Sequence, residues 1–395
     1  MSQKSHRPGL CRCLDAPFES LRTLLRGLSE DNIFLILLAA LALLSAMAPG
    51  RIATYPALVD WPTIAALTGL LALTKGLEVS GAMHWLGHRM IGFMATERTA
   101  ALCLVSAAAL LSTVLTNDVA LFVVVPLTLG VCRITGMAST RLIVFEALAV
   151  NAGSALTPIG NPQNLFLWQL SKVSFGQFVL HMLPLVALLM AVLLLLTACA
   201  FGKRAVRLSD VQQQAPLERI LLGVCLALYL PFLIATDQHH AGWAVLAVLL
   251  LLLVLRARVL ARLDWGLLLV FVLMFIDLRL LAGLGLVRDT MHALGLGLPA
   301  HLYLASIAAS QIVSNVPAAI ALAEYSSDWR VIAYGVNVGG FGIMLGSLAN
   351  LIALRMAGDR RAWLSFHAYA VPFLGVATVL GYALLFRWPT IYLLP

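Results

Sequence analysis

The sequence predicts an all-α polytopic membrane protein made of two inverted-topology repeats, each with a re-entrant hairpin and a broken transmembrane helix. Three observations predict it. Of 395 residues, 61% are apolar and only 11% charged, with a mean hydropathy of +0.95. A soluble domain carries roughly half apolar and about a quarter charged residues, so this chain has too little polar surface to coat a water-facing globule. Seven apolar runs reach or approach the length that crosses a bilayer, and four further apolar stretches are broken by polar residues, Gly and Pro and form two matching pairs.

Residues 1–31 lack the basic start and cleavable apolar stretch of a signal peptide. Phe18, Leu21, Leu24, Leu25 and Leu28, with Arg22 and Arg26 opposite, predict an amphipathic helix lying on the inner membrane surface. The six cysteines show no metal-finger spacing, and no disulfide is expected. Cys11 and Cys13 read as reduced thiols of a cytosolic tail, with soft-metal binding as the alternative.

The spanning runs lie near 32–48, 61–79, 178–201, 217–236, 243–260, 265–285 and 365–387, and the interrupted stretches at 99–133, 141–172, 300–324 and 331–357. Non-helical backbone at membrane depth is tolerated only where it is buried in protein or lines a cavity. Ser112-Thr113-Val114-Leu115-Thr116-Asn117 matches Ser310-Gln311-Ile312-Val313-Ser314-Asn315. Asn151-Ala152-Gly153, Gly160 and Asn164-Leu165 match Asn337-Val338-Gly339, Gly346 and Asn350-Leu351 at one constant offset. Taking each Asn-tipped stretch as a hairpin that returns to its starting face, parity makes 32–201 the first repeat and 202–242 a linker with a connecting helix. It makes 243–395 a second repeat of opposite orientation. Two such halves form the architecture of many secondary transporters, with a site near the midplane where they meet.

The formal net charge of +8 could signal nucleic acid, but 19 of the 26 Lys and Arg residues fall on the face that holds the N-terminus. That is the positive-inside pattern: the N-terminus is expected in the cytoplasm, the C-terminus on the outer face of a bacterial-type inner membrane, and no nucleic-acid partner is needed. No metalloprotease, nucleophile-elbow or phosphate-loop motif occurs, so no catalytic residues are expected. An intramembrane hydrolase is the remote alternative.

The candidate substrate- and ion-binding residues are those that break the apolar pattern in both halves. The first half supplies Thr116, Asn117, Asp118, Asn151, Gly153, Gly160, Asn161 and Asn164; the second supplies Ser314, Asn315, Asn337, Gly339, Gly346, Ser347 and Asn350. Asn161-Pro162 reads as an N-cap followed by proline at the first helical position, and Gly346-Ser347 is expected to do the same in the second half. Such starts aim unpaired N–H groups and a positive dipole end at the midplane, which suits an anion, while unwound carbonyls suit a small cation. Asp118 has no acidic counterpart at Val316 and is the leading candidate for coupling, as a Na⁺ ligand or a proton carrier. Glu146 is the second. Lys75 and Glu78, three apart, read as a structural ion pair; Asp277 and Arg279 read as a similar interior feature, although two-residue spacing does not place them on the same face, and Glu324 is placed at the outer interface.

The phrases Thr116-Asn117-Asp118, Gly160-Asn161-Pro162-Gln163-Asn164-Leu165, Ser314-Asn315-Val316-Pro317 and Gly346-Ser347-Leu348-Ala349-Asn350-Leu351 resemble the hairpin-tip and broken-helix motifs of the ion transporter superfamily. That superfamily includes arsenite permeases, citrate and dicarboxylate transporters and sodium/proton antiporters of the NhaD type. The resemblance covers about residues 30–390 and implies one substrate held between two hairpins and two unwound helices. It further implies elevator-like movement, often within a homodimer, driven by Na⁺ or H⁺ and with no other cofactor. Dicarboxylate transporters carry Ser-Asn-Thr at both tips. The tips here depart from that and look closer to the arsenite and uncharacterised anion permease branch.

Overall fold

The computed structural model describes residues 31–82, 85–86, 94–205, 217–359 and 361–387. The predicted interfacial helix, Cys11 and Cys13 lie outside the described residues. Among the described residues the chain is helical, with 17 α-helices, two short 3₁₀ turns and no strand. The chain is a multi-pass membrane protein by the length and apolarity of these helices.

Helix α1 (Asn32–Met47) starts where the Asp31 carboxylate accepts from the N–H groups of Ile33 and Phe34. The sequence expectation of a spanning run at 32–48 meets a bend here: Asn32–Met47 turns by 118° into Pro49–Leu58, which ends in the short α2 (Tyr55–Leu58). Helix α3 (Trp61–Val79) begins with Asp60 capping Thr63 and is buried along most of its length. Then come α4 (Glu97–Val114), α5 (Asn117–Thr135), α6 (Ser139–Ser154), α7 (Pro162–Ser171) and α8 (Phe175–Ala200). Helices α9 (Arg219–Asp237) and α10 (Ala241–Ala261) follow. Helices α11 (Trp265–Ala282), α12 (Gly285–Ala293), α13 (Pro299–Val313), α14 (Asn315–Ala323), α15 (Trp329–Val338), α16 (Leu348–Ala357) and α17 (Ala362–Phe386) complete the chain. Six helices, α4, α8, α9, α10, α11 and α17, are long and apolar enough to cross a membrane.

By length alone α4 could span, but its contacts make it the first limb of a hairpin. Helix α8, 26 residues long, extends about 39 Å, so its two ends mark opposite faces. Arg98, entering α4, donates from Nε to Phe201 O at 3.1 Å, and Arg141, leaving the hairpin, stacks 4.7 Å over the Phe201 ring. Both feet of α4–α5 therefore stand at the C-terminal end of α8. The second hairpin, α13–α14, stands at the other end. Its exit segment stacks Trp329 on Phe178 at 5.2 Å, and its entry limb bonds Tyr303 Oη to Thr378 O near the far end of α17 at 3.0 Å. The two hairpins thus reach inward from opposite faces.

Each hairpin meets a broken helix, α6/α7 or α15/α16, at matching positions. A Cβ built on Gly153 would lie 2.2 Å from Ala109 O and 2.6 Å from Ser112 Oγ; one on Gly339 would lie 2.5 Å from Ser310 Cβ and 3.1 Å from Ile307 O. Close approach of helix backbones in a membrane needs small residues at the contact. Gly160 and Gly346 are likewise pressed against backbone, with Ser154 O at 2.3 Å and Gly339 O at 2.6 Å from the added Cβ. All four glycines proposed from sequence as ligand positions have this packing role in the fold. Gly153→Ala and Gly339→Ala are each expected to destabilise the purified protein by about 1–3 kcal/mol. Gly223→Ala, in open space inside α9, should stabilise it by about 0.5–1 kcal/mol. Thermal unfolding in detergent distinguishes the signs, and equal midpoints for all three variants would refute the packing role.

Candidate functional site

The breaks in α6/α7 and α15/α16 lie back to back, and their asparagines bond across the two halves. Asn151 Nδ2 donates to Asn350 Oδ1 at 2.7 Å, and Asn337 Nδ2 donates to Asn164 Oδ1 at 2.6 Å. The two bonds are one interaction written twice, because Asn151 and Asn337 are repeat partners, as are Asn164 and Asn350. Asn337 Oδ1 also accepts from Asn161 Nδ2 at 3.0 Å, and Asn151 and Asn350 both reach Gly340 O, at 3.3 and 2.9 Å. All five asparagines are buried. Much of their hydrogen-bonding capacity is spent on joining the halves.

The half-helix starts are not equivalent. Asn161 caps α7 as expected, accepting from Asn164 N at 2.9 Å, with Pro162 next. Ser347 occupies the corresponding place before α16, but its side chain makes no cap bond. Its hydroxyl is buried with no hydrogen-bond partner. The expectation that Gly346-Ser347 repeats the Asn161-Pro162 cap is corrected in this respect: the serine keeps the extended cap backbone while its hydroxyl remains unused.

At the first tip, Asn117 N donates to Gly160 O at 2.9 Å, and Asn117 Oδ1 accepts from Asp118 N at 3.0 Å. This ties the hairpin to the break in α6/α7. Asp118 sits in the first turn of α5, where the helix dipole favours a negative charge; its Oδ1 is buried with no hydrogen-bond partner. At the second tip Ser314 adopts φ 74°, a left-handed conformation uncommon for a residue with a Cβ. Asn315 is buried and places its amide nitrogen 3.5 Å from a Cβ built on Gly340.

A cavity of about 840 Å³ extends between two sets of elements. One wall carries Asp31, Asp264, Lys75 and Glu78, from the starts of α1 and α11 and the end of α3; the other carries Thr116 and Asp118 with Leu345, Leu348 and Arg355. The starts of α5 and α16 therefore share a cavity that lies on the side of α1's first residues. A smaller cavity of about 340 Å³, lined by Leu167, Leu170, Glu324 and Trp329, lies toward the opposite face.

Glu146 lies away from the larger cavity, fully buried between α5 and α6, where Thr128 Oγ1 donates to Oε1 and Oε2 has no partner. Lys75 and Glu78 pair at 2.7 Å. Asp277 and Arg279 do not pair. Side chains two apart on a helix point to different sides, so Arg279 instead reaches Glu324 at 2.9 Å and Leu58 O at 2.7 Å. Asp277 is buried with both oxygens unpartnered. Sequence reasoning missed Gln311, whose amide bonds the Gly339 and Phe341 carbonyls and accepts from Ile343 N. Its signal was its place inside the repeated Ser310 phrase. It also missed Asp31 and Asp264, which are legible only as polar caps ahead of apolar runs.

Residues 28–330 match the citrate transporter family. The chain belongs to that family. Similar proteins match the chain over most of its length or over a part of it. The inner membrane protein YbiR of Escherichia coli is 46% identical over 92% of this chain and 98% of its own length. An uncharacterized transporter of Methanocaldococcus jannaschii is 32% identical over 76% of this chain and 82% of its own. A silicon efflux transporter of Oryza sativa is 30% identical over 37% of this chain and 30% of its own. Family membership makes the chain a membrane transporter of a small-molecule substrate and not an enzyme.

The asparagine network yields an ordered expectation. Asn337→Ala leaves Asn164 Oδ1 and Asn161 Nδ2 without a partner across the interface, whereas Asn350→Ala leaves Asn151 still bonded to Gly340 O. Each orphaned buried group costs about 1–3 kcal/mol, so Asn337→Ala should lower thermal stability more than Asn350→Ala. The reverse order would show that the network does not bear on stability as drawn.

Proposed function

We propose that the chain is a secondary active transporter of a small anion or oxyanion, coupled to Na⁺ or H⁺, in which the hairpins and broken helices move as an elevator against α1, α3 and α11. The observation that carries this reading is the cavity of about 840 Å³. It separates long helices on one wall from a hairpin tip and a half-helix start on the other. In the proposed orientation, N-terminus in the cytoplasm and C-terminus outside, it is an inward-facing access path. Similarity to an inner membrane protein of Escherichia coli supports placement in a bacterial inner membrane, and assembly as a homodimer belongs to the same proposal.

The starts of α5 and α16 supply N–H groups and positive dipole ends for an anion. Thr116, Ser314, Asn315 and Ser347 supply uncharged polar groups around it, and the amides of Asn117, Asn151, Asn161, Asn164, Asn337 and Asn350 hold that frame. Asp118, the carboxylate on the hairpin tip, takes the coupling cation, with Glu146 as a second proton-handling candidate. A second reading is efflux of a small oxyacid such as arsenite or antimonite. It draws support from the partial match to a protein named for silicon efflux and from the two breaks, 151–164 and 337–350, whose sequences hold neither Lys nor Arg. Na⁺/H⁺ exchange would use the same two acids.

Screening the purified protein by thermal shift against arsenite, antimonite, citrate, succinate, sulfate, Na⁺ and Li⁺ across pH identifies a stabilising solute. With that solute in proteoliposomes, Asp118→Asn is expected to lower gradient-driven flux by about tenfold or more while sparing exchange within about twofold. Unchanged coupled flux would remove Asp118 from the coupling role.

A further inference from the structure

The corner that anchors the first hairpin carries a cluster of positive charge that transport, as proposed above, does not use. After α8 the chain turns at Phe201 and runs extended beside the start of α4. Arg98 N donates to Gly202 O at 2.9 Å, Glu97 N donates to Arg204 O at 3.0 Å, and Thr96 bridges Ala205 in antiparallel fashion. Arg98 Nε is held on Phe201 O and the Arg141 guanidinium lies over the Phe201 ring. Arg98, Arg141, Lys203 and Arg204 are thereby gathered around one residue by backbone and aromatic contacts.

Among the described residues the ion pairs are Lys75–Glu78, Arg256–Glu218 and Arg279–Glu324, so none of these four cations pairs with a described carboxylate. Two acids stand nearby. The Glu97 carboxylate lies beside Gly202, 3.7 Å from where its Cβ would be. Asp359 accepts from Thr140 Oγ1 at 2.9 Å and from Arg361 N at 2.8 Å. They leave the corner with a surplus of positive charge. In addition, Arg141 Nε is buried with no hydrogen-bond acceptor, and an unpaired donor on a charged group is costly to keep from water.

The position in the bilayer selects the ligand. Helix α8 is long enough to cross the hydrocarbon and deliver Phe201 to the headgroup level. Leu195 and Leu196, exposed about one turn deeper on the same helix, offer an apolar track beneath the charges. We propose that this corner binds the phosphate of an anionic phospholipid headgroup, with the acyl chain running along α8. Guanidinium groups pair well with phosphate oxygens, and basic pockets at helix ends on the cytoplasmic side are suited to such headgroups. The site requires only that the chain be embedded in a membrane, so it stands or falls independently of the transported substrate.

The test uses the full-length protein in zwitterionic detergent, titrated with phosphatidylglycerol, phosphatidylcholine or inorganic phosphate while thermal unfolding is followed. Phosphatidylglycerol is expected to raise the midpoint by several degrees in a saturable way that weakens with salt, and phosphatidylcholine and inorganic phosphate to have no comparable effect. Arg98→Gln with Arg141→Gln should at least halve the shift, and Lys203→Gln with Arg204→Gln, at exposed positions that leave packing intact, should also reduce it. Arg330→Gln, on the opposite face beside Trp329, should leave it unchanged. An equal shift with inorganic phosphate would assign the site to a free anion and overturn the lipid. So would an unchanged phosphatidylglycerol shift in the Lys203 and Arg204 variant together with the Arg98 and Arg141 variant.

Discussion

Everything in the centre of this protein follows from one constraint: peptide groups at membrane depth that leave a helix must find partners inside the protein. Two helices are broken there, so two loops of backbone would otherwise lose their hydrogen bonds in a medium without water. In the first break, Asn164 Nδ2 reaches the carbonyls of Ser154, Ala155 and Thr157, while the Gly160 carbonyl takes the Asn117 N–H. In the second, Gln311 reaches the Gly339 and Phe341 carbonyls, and Asn151 and Asn350 share Gly340 O. The polar residues that punctuate an apolar sequence are, first of all, the residues that make its breaks affordable.

That solution ties the halves to one another. A carboxamide offers a donor and an acceptor on one rigid plane, so the same residue that satisfies its own loop can bond its counterpart's loop with the other end. Asn164 does both, donating from Nδ2 to its own break and accepting at Oδ1 from Asn337 Nδ2. The glycines serve the same end by letting hairpin limbs approach close enough for tip and break to meet. An Asn replaced by Asp would put an acceptor where a donor is needed, and a Gly replaced by Ala would hold the partners apart. The recurrence of Asn and Gly at one spacing in both halves therefore has a mechanical origin that requires no ligand.

Much of this was legible before any coordinates. The start of α7 followed from Asn161 ahead of Pro162, and the opposed hairpins from the two copies of one polar phrase. The resemblance pointed to the right family through the same phrases. Reach was not legible. Nothing in the sequence says that Asn151 meets Asn350 rather than a ligand, because cross-half contacts depend on how two breaks stack. The partner of Arg279 was hidden for a related reason: two-residue spacing already set Asp277 on another side of the helix, and Glu324 arrives from another element. Gln311 stands inside the repeated phrase, but its counterpart Thr113 carries no amide, so its reach to the loop shows only in the fold.

Where the symmetry fails is as informative as where it holds. The first half satisfies its own cap through Asn161 and adds a carboxylate at the tip; the second leaves the Ser347 hydroxyl free and carries Val316 where the first has Asp118. A perfectly symmetric pair of half-sites would present the same groups from both directions and could not distinguish a driving ion from its cargo by charge. Here the only carboxylate at either tip belongs to the half whose tip lines the larger cavity. A cation held there would neutralise it, leaving the dipole ends of α5 and α16 and the guanidinium of Arg355 as positive groups in the cavity floor. On the proposed reading, occupancy by the cation is thus what makes that floor attractive to an anion, and the coupling of the two follows from the charge balance of a single residue and needs no separate sensing device.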